Sequence, residues 1–358
     1  MPTTPLATRY EDDLRLLASR WRQVGVVVLA VLLIVYPLQA SGRWMTIANL
    51  ALVSIVGAVG LMILTGFTGQ ISLGHAAFLA IGAFTAAALA VHFGMPWWIG
   101  MPVGGLIAAA VGLAIGPFAL RLRGLYLAIV TVGLVFLVEH VLVHWRWVSG
   151  GHTGTSVPMY WWFDGPRVGA TPWDLGPYTF GGTHQNYVIF LVIAIATVLI
   201  ATNLRRSRTG RAMAAVRDRD VAAAVMGVNV SRAKFEAFGI SSFFAGVAGA
   251  MYGYQQQFVT VDPPFNLFMS IEYIAMIVLG GIGTVVGAVL GALAFVMLGP
   301  LAEGMFGELG ILDNLTSSQQ QQLLLAVVVG IFLIAEPLGL YGIWLRIKVY
   351  FMAWPFRY

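Results

Sequence analysis

Apolar residues gather in ten long stretches, at about 24–40, 47–65, 76–93, 98–119, 124–143, 187–202, 235–253, 268–284, 285–302 and 322–337. One helix crosses the hydrocarbon layer of a bilayer with about 20 largely apolar residues. The pattern therefore predicts an all-α polytopic membrane protein with about ten transmembrane helices. Polar loops separate most of the stretches. The boundary inside 268–302 is instead a run of glycines. The first stretch reads as a span rather than a cleaved leader. Its flank carries Glu11, Asp12 and Asp13, and Leu38 stands where a cleavage site wants a small residue.

Composition supports the same class. Of 358 residues, 59% are hydrophobic and 10% charged, against roughly 25% charged in soluble domains. The absence of cysteine removes disulfide frameworks and thiolate metal sites. A net charge of +5 raises the question of nucleic acid. In a membrane chain, basic residues mark the cytoplasmic loops, and no nucleic-acid partner is expected.

The basic residues then set the orientation. Arg205, Arg206, Arg208, Arg211, Arg217, Arg219, Arg232 and Lys234 crowd the loop at 203–234. Arg121 and Arg123 mark a second loop, and Arg346, Lys348 and Arg357 the C-terminus. Ten spans with a cytoplasmic N-terminal segment (1–23) place all three clusters inside, along with the tail at 338–358. The permease domain would cover 24–337. Segment 303–321, with Glu303, Glu308 and Asp313 and no basic residue, falls outside. So does 144–186, which holds Trp145, Trp147, Trp161, Trp162 and Trp173 and suits either an interfacial aromatic belt or a docking surface.

Catalytic chemistry finds little footing. The two lysines, Lys234 and Lys348, precede Phe235 and Val349, so neither completes a phosphate-binding P-loop. The histidines show no metal-ligand spacing, and His140 with His144 beside Glu139 reads as structural. No metal, no cofactor and no enzymatic activity are expected. Glu272 is the clearest charge deep in a span. Such charges are costly in lipid and mark ion-coupled mechanisms, so their scarcity argues against a secondary transporter.

One polar passage interrupts the apolar pattern. "GFTGQISLGHAAFLAIGAF" at 66–84 places Gly66, Gly69, Gln70, Ser72, Gly74 and His75 beside each other. Close helix packing explains glycines such as those of "GLAIG" at 112–116. It accounts poorly for Gln70 and His75. Non-helical backbone at membrane depth is tolerated where it lines a cavity, as in the broken helices of transporters. A break between Gly66 and Gly74 bordering a translocation path is expected, and these six residues with Glu272 are its candidates. "LGGIGTVVG" at 279–287 is a candidate counterpart in a second, inverted half, although its glycine spacing differs.

The loop sequence "GRAMAAVRDRDVAAAVMG" at 210–227 favours one or two short helices ended by Gly227. Ala212, Ala215, Val216, Ala222, Ala223 and Met226 form a small-residue face open to close approach by another protein.

Here the chain resembles a known family. "GRAMAAVRDRDVAAAVMGVNV", then "AGVAGAMYG", then "SIEYIAMIVLGGIGTVVGAVLGA" are similar to the branched-chain amino acid ABC permease family, in its LivM-type subunit. "GFTGQISLGHAAFLAIGAF" and "SGGHTG" at 149–154 match the same family, over about residues 50–335. The resemblance implies an ATP-driven importer in the cytoplasmic (inner) membrane. Its implied partners are two cytoplasmic ATP-binding subunits, a second LivH-type permease and an external solute-binding protein. It makes 209–234 the loop that docks on the ATPases, with Arg217, Asp218, Asp220, Ala222, Ala223 and Gly227 as its candidate coupling residues. Val221 stands where importers of this kind often carry an acidic residue, and Asp220 lies one residue earlier. The expected substrate is a branched-chain amino acid or a related small polar solute. Urea, short amides and aromatic acids are alternatives, as is an ion-coupled transporter or a non-transporting scaffold.

Overall fold

The computed structural model describes residues 20–40, 42–121, 124–175, 178–309, 316–335 and 339–352. Most of the N-terminal segment, and the charges at Glu11, Asp12, Asp13, Arg123, Asp313 and Arg357, lie outside these residues. Fourteen helices follow in order: α1 (Arg20–Gln39), α2 (Gly42–Thr68), α3 (His75–Phe93), α4 (Trp97–Arg121), α5 (Leu125–His144), α6 (Arg146–Ser149), α7 (Gly182–Arg206), α8 (Arg208–Asp218), α9 (Asp220–Val225), α10 (Val230–Gln256), α11 (Leu267–Gly280), α12 (Val285–Leu309), α13 (Ser317–Ala335) and α14 (Gly339–Met352).

Each of the ten apolar stretches overlaps a helix, and the all-α polytopic class holds. The count of full-length spans is smaller. Among the described residues, six helices are long and apolar enough to cross a bilayer: α2, α3, α5 and α7, most of α4 (Trp97–Gly116) and most of α12 (Val285–Gly304). The apolar parts of α1 and α13 are shorter. α10 is long but less apolar, being rich in Gly, Ser and Tyr.

α11 corrects the expected span at 268–284. It stops at Gly280, because Gly281 takes φ 113° and Gly283 φ 93°, which ends the helical path. Its 14 residues rise only about 21 Å, short of the roughly 30 Å hydrocarbon thickness.

α10 packs against α2, α3 and α4 and forms the centre of the bundle. Small residues make this possible. A Cβ on Gly82 of α3 would overlap the carbonyl of Gly246 in α10, and one on Gly249 would overlap the carbonyl of Leu79. Backbones thus meet backbones, and dispersion contacts close where side chains would hold the helices apart. The core around them is alanine-rich: Ala76, Ala83, Ala86, Ala87, Ala245, Ala248 and Ala250 are buried.

Strand structure is confined to short pairs. β1 (Thr155–Ser156) pairs antiparallel with β4 (Phe258–Val259) just beyond α10, and β2 (Trp173–Leu175) pairs with β3 (Tyr178–Phe180). The "SGGHTG" motif is the turn that leads into β1. Ser149 Oγ accepts from the Gly151 N–H at 2.9 Å and donates to the Leu142 carbonyl. Gly150, Gly151 and Gly154 all have positive φ.

Candidate functional site: a helix break beside a two-helix loop

α2 runs on through Gly66 and ends at Thr68, so the break starts later than the sequence indicates. It covers residues 69–74, and α3 begins at His75. Gly69 turns the chain with φ 70°. The segment then doubles back beside α2. The His75 ring packs against Tyr273, whose own ring lies against Gly57 of α2, eleven residues before Thr68, or about 16 Å back along the helix. The six residues between, extended at about 3.3 Å each, cover that distance.

Several polar groups of the break have partners within the bundle. Gln70 Nε2 donates to Thr68 Oγ1 at 3.1 Å and to the Lys234 carbonyl at 3.4 Å. Ser72 Oγ accepts from the Gly74 N–H at 3.3 Å. The Leu73 N–H reaches Thr131 Oγ1 of α5 at 2.9 Å. Ser270 Oγ of α11 takes the Ala76 N–H at 2.9 Å, filling one of the donors that a helix start leaves open. The His75 ring packs edge-on against Tyr273, with its Nε2 buried and unpartnered. α3 and α11 therefore both begin partway along α2 rather than at an end of the bundle.

The loop between α7 and α10 folds as two short helices. The Ser207 side chain caps α8, accepting from the Gly210 N–H at 3.1 Å. Gly227 follows α9 with φ 84°, and its N–H and that of Val228 return to the carbonyls of Ala224 and Ala223, a glycine-ended helix terminus of the kind expected. The small-residue face does not look outward as a whole. Met213 and Val216 are turned into the chain's own core, since α8 packs against α2, α7 and α10, and Ala223 is buried on α9, which packs against α8 and α10. Ala223 is 4% exposed and Ala222 is exposed. The outward apolar groups are Val221, Val225 and Met226, at 68%, 83% and 83%.

Break and loop meet at one cavity of about 620 Å³. Gly69 and Gln70 form one wall with Thr68. Arg217, Asp218, Asp220 and Ala222 form the facing wall with Arg219, and Lys234 adds a cation. Lys234 Nζ stands 3.9 Å from Asp220 Oδ2. Ser72, Gly74, His75 and Glu272 do not line this cavity. Ser72, Gly74 and His75 lie deeper along the break. Glu272 is half-buried on α11 beside Tyr273.

Sequence reasoning missed Arg217's contact with the break. Its Nη1 donates to the Gly66 carbonyl at 2.7 Å, across 151 residues of sequence. Thr131 and Ser270, which hold the far end of the break and the start of α3, were also missed. No local pattern marks a serine or threonine that hydrogen-bonds a distant backbone.

The family described as the branched-chain amino acid transport system / permease component matches residues 44–346. The high-affinity branched-chain amino acid transport system permease protein LivM of Escherichia coli K12 is 33% identical over 287 residues, covering 77% of this chain and 67% of that protein. The corresponding LivH of the same strain is 28% identical over 253 residues, covering 66% and 77%. The autoinducer 2 import system permease protein LsrC of Enterobacter sp. strain 638 is 30% identical over 220 residues, or 57% of each chain. No solved structure matches. The chain belongs to the branched-chain amino acid transport permease family as a LivM-type permease subunit of an ABC importer, a transport component and not an enzyme.

Proposed function

We propose that this subunit moves a branched-chain amino acid across the cytoplasmic membrane, in a complex with a LivH-type permease, two ATP-binding subunits and an external solute-binding protein. The names of the relatives support the substrate class and the second permease. The clustered loop arginines support a cytoplasmic loop at 203–234, cytoplasmic termini and an external 144–186 segment. Ten membrane-inserted helices fit this scheme if α11 enters without crossing the whole layer. The break at 69–74 is then re-entrant. It turns at the cytoplasmic end and climbs back beside α2 to the depth of Gly57.

The observation that carries the mechanism is the shared cavity of Gly69, Gln70 and the loop residues 217–222. A path that ends between a glycine break and the loop changes shape when the loop moves. Gly69 leaves backbone where a side chain would stand, and Gln70 offers an uncharged polar group, which suits passage more than tight binding. Ser72, Gly74 and His75 line the deeper part of the route in this reading, and Glu272 flanks it. Asp218, Asp220 and Ala222 form the cavity wall behind the ATPase contact. Val221, Val225 and Met226 make the apolar contact itself, with Gly227 setting the end of its helix.

Co-purification with mass spectrometry tests the assembly: both ATPases and the second permease should be retained. Met226→Asp, which places a charge in a desolvated contact, should reduce ATPase retention. Proteoliposomes of the complex should import labelled leucine only with ATP and binding protein. Import that follows an imposed proton or sodium gradient without ATP would refute the proposal.

A further inference from the structure

We propose that Arg217 is a positioning residue that ties the loop to both glycine breaks at once, so that loop movement is passed to the path through one guanidinium. The proposal rests on the importer reading above and goes beyond it. Arg217 stands in the last turn of α8. Its Nη1 donates to the Gly66 carbonyl at 2.7 Å, one of the last-turn carbonyls of α2 that have no partner within the helix. A cation at a helix C-terminus is favoured there by the helix dipole.

The same guanidinium also covers the second break. A Cβ on Gly283 would overlap Arg217 Nη1 and lie 3.2 Å from Cζ and 3.4 Å from Nη2. The second break touches the end of α2 beneath it, for a Cβ on Gly66 would sit 3.0 Å from both Gly283 Cα and Gly283 N. Gly69 gives room to the stem, with Arg217 Cγ at 3.6 Å from where its Cβ would be. Gly66 in the last turn of α2, Gly69 in the first break and Gly283 in the second thus leave room for one arginine.

A planar fork with several donors suits this seat better than a point charge. The other end of the loop is anchored to the same segment, through the Gln70 bond to the Lys234 carbonyl. A displacement of α8 must therefore carry Gly66 with it or break the Arg217 bond, and it moves the guanidinium against or away from Gly283.

The test uses the whole complex in proteoliposomes and reads solute imported per ATP hydrolysed. Arg217→Gln removes the charge. Gly283→Ala displaces the guanidinium while leaving Arg217 in the sequence. Arg217→Lys keeps a donor for Gly66 but not the second arm. Arg217→Gln and Gly283→Ala should each lower the ratio about tenfold, the scale of losing one hydrogen bond to a charged group, and Arg217→Lys should fall between parent and Gln. A residue that only holds the fold together would lower the amount of assembled complex and leave this ratio unchanged. Parental ratios in Arg217→Gln and Gly283→Ala, in a parent that imports with ATP, would overturn the latch alone. If the parent complex imports nothing with ATP, the importer reading falls and takes the latch with it.

Discussion

Gly69 and Gly74 bracket the break for different physical reasons, and substitutions can separate them. Gly69 has φ 70°, but the space around it is open enough for a methyl group, since the nearest atom to an added Cβ is Arg217 Cγ at 3.6 Å. Its requirement is conformational. Gly69→Ala should cost about 1–2 kcal/mol, a five- to thirtyfold shift away from the turned state. Gly69→Asn should cost less, because Asn visits positive φ more readily. Gly74 has φ −94°, which any residue adopts. An added Cβ there would stand 2.8 Å from the Thr131 carbonyl oxygen and 3.1 Å from Thr131 Cβ. Its requirement is contact, and overpacking at such a seat costs about 1–3 kcal/mol. Thr131 also receives the Leu73 N–H, so the methyl group pushes on the contact that holds the break against α5. The assay is uptake by the reconstituted complex, paired with heat denaturation of the purified complex. Uptake should fall in the order parent, Gly69→Asn, Gly69→Ala, with Gly74→Ala at least as impaired as Gly69→Ala. Parental uptake and stability in Gly69→Ala would show that the turn does not need positive φ. The same result in Gly74→Ala would show that the close approach to α5 is dispensable.

Two further outcomes are expected. Gly227→Val should lower binding-protein-stimulated ATP hydrolysis and uptake through backbone strain alone, since φ is 84° and nothing lies within 4 Å of an added Cβ; undiminished stimulation and uptake would remove Gly227 from the coupling contact. A cysteine at Arg208, in a chain with no cysteine of its own, should resist an impermeant thiol reagent in intact cells and react once the membrane is opened; labelling in intact cells would reverse the orientation.

The helices were legible because their signal is local. Twenty apolar residues in a row carry their own reading, and each of the ten stretches overlaps a helix. Their lengths were less legible. Nothing in "IVLGGIGTVV" says which glycine takes positive φ, and that choice at Gly281 leaves α11 short of a full span. The break at 69–74 showed itself through Gln70, Ser72 and His75, polar groups that an unbroken apolar helix would not hold. The way it doubles back did not, because that depends on contacts with Tyr273, Thr131 and Ser270. The loop helices and Gly227 followed from propensity and capping. Which face looked outward did not follow, since Ala223 and Ala222 differ only in what α8 and α10 place beside them. Arg217 lay in the right loop, but its partners are 151 and 66 residues away in opposite directions, beyond the reach of any local pattern.

α10 begins directly after the loop and ends at the strand pair between β4 and β1. Its 27 residues make a rod about 40 Å long. Val157 donates its N–H to the Gln257 carbonyl at 2.8 Å, so the segment that follows the "SGGHTG" turn is bonded to the tip of that rod. Backbone-to-backbone seating along α3 and α4 leaves no slack in which a push at one end could be absorbed, because close-packed interiors transmit strain. The rod acts as a strut. In the proposed orientation, one piece of continuous helix links the aromatic end, where solute would arrive, to the arginine end, where the ATPases would dock.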